Sequence, residues 1–177
     1  IFSQPSQGLY SFPALLVQAE GPPLVCLAGA HYFLAVMGLD AAPRWHRIPV
    51  PGENRAGSEG FLCTREGRWL IGIGRQNGNF ACVEAEPGKV RWELPVGATC
   101  TDIISGDLDG DGELEFLFGT SHGQLWAVGD AEGQPRVLWQ ADLPAGSGPP
   151  LLADVDGDGA SEVVVYTLDG YLNVLGP

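Results

Sequence analysis

Apolar residues in this chain come in short runs separated by polar, glycine-bearing turns. Leu114-Glu115-Phe116-Leu117-Phe118-Gly119 and Glu162-Val163-Val164-Val165-Tyr166-Thr167 are rich in aromatic and β-branched residues and end at turn residues. Runs of this kind are strands. A helical pattern is missing, and the 26 Gly and 14 Pro among 177 residues would interrupt most helical windows.

The runs recur with a period. Gly78-Asn79-Phe80-Ala81-Cys82-Val83, Gly123-Gln124-Leu125-Trp126-Ala127-Val128 and Gly170-Tyr171-Leu172-Asn173-Val174-Leu175 each lead from a turn into a strand. His31-Tyr32-Phe33-Leu34-Ala35-Val36 fills the same slot one period earlier. Trp45, Trp92 and Trp139 are spaced by 47 residues, and so are Asp107 and Asp154. Four repeats, approximately 1–48, 49–95, 96–143 and 144–177, cover the chain as one domain or segment. In the third, the pattern predicts strand A over 100–105, B over 114–119, C over 124–128 and D over 136–141. Strand A should line the centre and strands B and C the middle of each unit. Ile103 and Ile104, as neighbours on strand A, should point to opposite sheet faces, with at least one of them buried. Four strands at this period predict an all-β fold, a β-propeller of four-stranded antiparallel blades.

The turns between strands A and B carry the candidate chemistry. Asp107-Leu108-Asp109-Gly110-Asp111-Gly112-Glu113-Leu114-Glu115 recurs as Asp154-Val155-Asp156-Gly157-Asp158-Gly159-Ala160-Ser161-Glu162. Carboxylates stand at positions 1, 3, 5 and 9, with Gly at 4 and 6. Asp and Gly are ordinary turn residues, but carboxylates crowded this closely repel one another, and solvation gives no reason to repeat them. Hard oxygen ligands at this density suit Ca²⁺, with position 7 offering its backbone carbonyl. The candidate ligands are therefore Asp107, Asp109, Asp111, the carbonyl of Glu113 and Glu115, then Asp154, Asp156, Asp158, the carbonyl of Ala160 and Glu162. The Glu113 side chain should point away. An EF-hand is excluded, because position 12 is Phe118 or Val165 and strands follow instead of helices. The loops closely resemble the calcium loops of FG-GAP repeats in integrin-α-type β-propellers, D-x-D-x-D-G-x-x-[DE]. The corresponding slots in the first two repeats, around Glu20-Gly21 and Glu66-Gly67, lack the acidic series. The expectation is two Ca²⁺ ions.

A second resemblance lies between strands C and D. Cys82-Val83-Glu84-Ala85-Glu86-Pro87-Gly88-Lys89-Val90-Arg91-Trp92 is similar to the quinoprotein-type (PQQ-like) repeat A-x-D-x-x-x-G-K-x-x-W, departing from it at Cys82 and Glu84. The resemblance implies that Trp45, Trp92 and Trp139 each dock onto the neighbouring blade.

Composition narrows the function. Net charge is −13, with 22 acidic and 9 basic residues. This argues against nucleic acid and anionic membranes, both of which call for basic patches. There is no apolar run long enough for a transmembrane helix. The four Cys have no Cys-x-x-Cys spacing, and Cys63 and Cys82, two strands apart in one blade, should stand about 10 Å apart, too far for a disulfide. Buried apolar thiols are expected. The three His are scattered. Ser121-His122 and Asp107 fall at opposite ends of strand B, and no nucleophile elbow or phosphate loop is present.

The expected function is a non-catalytic, calcium-binding module presenting loops to a protein or glycan ligand. Weakly binding calcium modules work at extracellular ion levels, so a secreted, periplasmic or cell-surface setting is expected. The alternative is the propeller portion of a larger enzyme, a quinoprotein dehydrogenase or a polysaccharide-active enzyme. The chain begins with Ile1 and stops after strand C of the fourth repeat. A piece of a longer polypeptide is expected, either a four-bladed ring closed by an N-terminal strand or part of a ring with additional blades.

Overall fold

The computed structural model describes residues 14–18, 21–29, 33–39, 43–47, 56–75 and 77–176. The proposed closing strand at Ile1-Phe2-Ser3-Gln4 and the turn at His31-Tyr32 lie outside these residues, as do the side chains of Trp45 and His46. The described residues contain strands and turns and no helix.

Four antiparallel sheets follow one another along the chain, each a meander in sequence order. The first holds β1 (Ala14–Leu16), β2 (Leu24–Gly29), β3 (Phe33–Gly38) and β4 (Pro43–Arg47). The second holds β5 (Ala56–Cys63), β6 (Trp69–Arg75), β7 (Asn79–Glu84) and β8 (Val90–Pro95). The third holds β9 (Cys100–Gly106), β10 (Glu115–Thr120), β11 (Gln124–Ala131) and β12 (Gln134–Asp142). The fourth has three strands, β13 (Leu151–Ala153), β14 (Glu162–Tyr166) and β15 (Leu172–Leu175).

Each junction between consecutive sheets is an apolar layer, which is why every sheet needs its neighbour. Leu16, Leu24, Cys26 and Val36 of the first sheet meet Ile71 and Ala85. Leu62, Leu70, Phe80, Cys82 and Trp92 meet Cys100, Ile103, Phe116, Phe118 and Val128. Phe80 is the hub there, stacked on Phe118 at 4.6 Å and 5° and on Trp92 at 5.7 Å. Leu117 and Leu125 meet Val163 and Val165.

Inner strands of the second and third sheets lie side by side. Gly60 on β5 faces Ile103 on β9 so closely that a Cβ there would run into the Ile103 side chain. The Ser105 hydroxyl donates to the Phe61 carbonyl at 2.7 Å. Ile103 is buried in this junction, while Ile104 packs into the next one. Period-two alternation puts the pair on opposite faces, as the sequence predicts.

Strand D of the first three sheets carries a register shift just before its Trp. Trp45 pairs with Val36 and Pro43 with Met37; Trp92 pairs with Cys82 and Val90 with Val83; Trp139 pairs with Ala127 and Val137 with Val128. Arg44, Arg91 and Leu138 are thus the extra residues of three β-bulges, which re-aim side chains. Trp92 buries itself against the third sheet, and Trp139 packs into the junction with the fourth. The third C–D hairpin is longer than the sequence predicts: β11 runs to Ala131 and turns at Glu132-Gly133, both at positive φ (53° and 86°). A two-residue turn with that geometry fits the twist of a hairpin.

Candidate metal centre

The two acidic loops join β9 to β10 and β13 to β14, and they are built bond for bond alike. The first Asp of each caps two backbone amides: Gly110 N and Gly112 N donate to the Asp107 carboxylate at 2.8 and 2.9 Å. Gly157 N and Gly159 N donate to Asp154 at 2.6 and 3.0 Å. Asp109 and Asp156 accept from the amides of Asp111 and Asp158 at 3.2 and 3.1 Å. Asp111 and Asp158 accept from Glu113 N and Ala160 N at 2.7 and 2.8 Å. The closing Glu reaches back: Leu108 N donates to Glu115 at 2.9 Å and Val155 N to Glu162 at 2.8 Å. Gly112 and Gly159 hold φ of 82° and 94°, where a Cβ is strained.

This wrapping gathers carboxylate oxygens. One oxygen each from Asp107, Asp109 and Glu115 lies within 4.8 Å of the others, and so do oxygens of Asp154, Asp156 and Glu162. Asp111 and Asp158 do not join these groups. Glu113 turns its side chain outward to Arg65, whose Nε stands 3.2 Å from a carboxylate oxygen. Ala160 offers a backbone carbonyl and no polar side chain.

Glu115 starts the fully buried strand β10 and is itself 1% exposed. Burial pushes its carboxyl above the usual range, aided by the charges of Asp109 and Asp111 and opposed by the Leu108 amide and Arg136. The group is thus set beside like charges in a place that favours a cation. One is there: Arg136 Nη2 lies 3.0 Å from Asp109, 3.3 Å from Glu115 and 3.5 Å from Asp111. Hard carboxylate oxygens gathered in this way are the donors a Ca²⁺ site would offer, and in the first loop Arg136 stands among them.

Sequence reasoning missed Arg136 and a second ionic centre. Arg91 donates to both oxygens of Asp130 at 2.9 and 2.7 Å and to Glu84 at 2.7 Å. Trp92 Nε1 donates to Asp130 at 2.7 Å. In a flat strand Arg91 and Trp92 would point apart; the bulge lets both reach the same carboxylate on the next sheet. Burial opposes the charged form of Asp130, but the Arg91 and Trp92 hydrogen bonds win and hold its pKa below the ordinary carboxylate value. This network borders a cleft of about 440 Å³ lined also by Arg68, Asp111, Glu115 and Arg136.

The other candidates for chemistry stay apart. His122 is exposed in its turn, and the six-residue strand β10 separates it from the first acidic loop. All four Cys are free thiols. Burial pushes Cys26 and Cys100 up to about 12, so neither supplies a thiolate near neutral pH.

Residues 107–165 match the FG-GAP-like repeat family. The match spans both acidic loops and the strands between them. No curated protein sequence matches the chain. Among solved structures, BBS1N in complex with ARL6DN is similar over 92% of this chain and 49% of its own, at 12% identity and a TM-score of 0.72. BamB from Moraxella catarrhalis is similar over 92% and 44%, at 16% identity and a TM-score of 0.62. The computationally designed Ika4 protein is similar over 98% and 95%, at 14% identity and a TM-score of 0.68. The chain spans about half the length of BBS1N. At these identities the likeness shows the fold: the molecule is all-β and propeller-like. Among the described residues no helix is long and apolar enough to cross a membrane.

Proposed function

We propose that this chain is a calcium-binding β-propeller module, non-catalytic, that presents its loops to a protein or glycan ligand outside the cell. The observation that carries the reading is the pair of acidic loops with the same hydrogen bonds and the same convergence of three carboxylate oxygens. Asp107, Asp109, Asp111, Glu115 and the Glu113 carbonyl would hold one ion. Asp154, Asp156, Asp158, Glu162 and the Ala160 carbonyl would hold the other. Asp111 and Asp158, which now accept from the Glu113 and Ala160 amides, would have to turn inward to complete each set. Bound Ca²⁺ would pin β9 to β10 and β13 to β14, so its part is structural.

BBS1N is found in complex with a protein, which supports a protein ligand for the exposed loops here. The free face of the fourth sheet supports additional blades or ring closure, since Leu151, Tyr166, Leu172 and Val174 are exposed there. Titration calorimetry on chelator-treated protein should show two calcium sites per chain. Absence of binding at millimolar Ca²⁺ removes the proposal.

A further inference from the structure

The two loops share every internal hydrogen bond, yet one has a cation already among its carboxylates and, among the described residues, the other does not. We infer that the Arg136 guanidinium is a built-in competitor for the ion of the first loop, so that the second loop fills at lower calcium concentration. This deepens the calcium reading above and rests on it.

The approach of Arg136 is shaped by the fold. Arg136 stands on β12, opposite Gly129 on β11. Its guanidinium must cross β11 to reach Glu115 on β10. Gly129 leaves the gap: a Cβ there would sit 3.2 Å from Glu115 Cγ and 3.5 Å from Arg136 Nε. Through that notch Arg136 Nη2 meets the carboxylates at loop positions 3, 5 and 9 together. Among the described residues no Lys or Arg pairs with Asp154, Asp156, Asp158 or Glu162. The fourth sheet, as described, also lacks the outer strand from which such a side chain would come.

The competition follows from geometry. Ca²⁺ holds its oxygens at about 2.3–2.6 Å and takes six to eight of them. A guanidinium nitrogen at 3.0 Å from Asp109 and 3.3 Å from Glu115 occupies lone pairs that the ion requires. Two cations sharing those oxygens would stand only a few ångströms apart in a partly desolvated place, where like charges repel strongly. Arg136 must therefore leave for the ion to enter. Without calcium the same side chain offsets the repulsion between Asp109, Asp111 and Glu115, so the first loop keeps its shape. Among the described residues the second loop has no such support, and it depends on the ion.

Calorimetry on the full chain, stripped with EGTA and titrated with Ca²⁺, separates the alternatives when run on wild type, Asp156→Ala and Arg136→Gln. Wild type should show two unequal sites, and Asp156→Ala should delete the tighter. Arg136→Gln should strengthen the weaker site by about twofold to fivefold, the scale of a partly exposed ion pair. The urea midpoint of Arg136→Gln should fall in EGTA and recover in excess Ca²⁺, a crossing that a merely structural arginine would not produce. Two sites unchanged by Arg136→Gln, or loss of the weaker site in Asp156→Ala, overturns this inference and leaves the calcium reading standing. No calcium binding in any of the three proteins overturns both.

Discussion

Asp130 shows how one residue can join two blades. Its carboxylate takes three hydrogen bonds from consecutive residues of the preceding blade, two from Arg91 and one from Trp92. Asp130→Asn should remove the charge and strand the nearly buried Arg91 with Glu84 alone. Breaking a buried pair from one side costs about 3 kcal/mol, and urea unfolding at pH 7 should show a loss of that order. The pH dependence follows the same centre. The folded pKa of Asp130 lies below its unfolded value, so its contribution is full above the unfolded pKa of about 3.9 and is lost as pH falls through the folded one. Between pH 5 and pH 2 wild type should therefore lose more stability than Asp130→Asn. None of this was legible in the sequence. The partners are 38 and 39 residues apart, and the bulge that aims Arg91 and Trp92 together is a matter of register. Arg136 left a fainter trace: it stands three residues before Trp139, as Lys89 does before Trp92. That spacing marks a basic position without naming its target.

Strands and loops were far more legible. In the third repeat the pattern gives strands A, B and D to within one or two residues, because apolar alternation and Gly-bearing turns mark both ends. The pattern ends strand C at Val128, because Gly129 looks like a turn residue, but it lies inside β11 and gives room to Glu115 and Arg136. The acidic loops could be read position by position because their local hydrogen bonds depend on Asp and Gly at fixed offsets. Within them, carboxylates at positions 1, 3 and 9 converge, while position 5 turns to the backbone, a difference of side-chain rotamer that sequence spacing does not carry. A substitution tests this element directly. Gly159 holds φ of 94°, so Gly159→Ala should cost about 1–2 kcal/mol, the penalty of a Cβ in left-handed backbone. The melting temperature should fall and the second calcium site should weaken, while the first site stays as it was.

Across the whole molecule, three apolar layers hold four sheets in series, and the two ends of that series differ. The second sheet is secured on one side by Trp69, whose Nε1 donates to the Val17 carbonyl at 2.9 Å. Trp92 and the Asp130 centre secure it on the other side. The third and fourth sheets carry the acidic loops, and the face of the fourth away from its neighbour is open, with Tyr166 at 49% and Leu172 at 69% exposure. An ion that binds only the folded form adds about 2.7 kcal/mol at a hundredfold excess over Kd. Calcium should therefore act mainly on the C-terminal half. Asp109→Ala combined with Asp156→Ala should abolish the rise in melting temperature on adding Ca²⁺, as followed by circular dichroism.

Amide hydrogen exchange with and without EGTA tests this most directly. Removing calcium should speed exchange across residues 101–176, most of all in the β13–β14 hairpin, which no arginine among the described residues supports, while residues 56–95 keep nearly their calcium-bound rates. Exchange that rises uniformly along the chain, or does not change at all, would contradict the assignment of the acidic loops as calcium sites that hold these blades together.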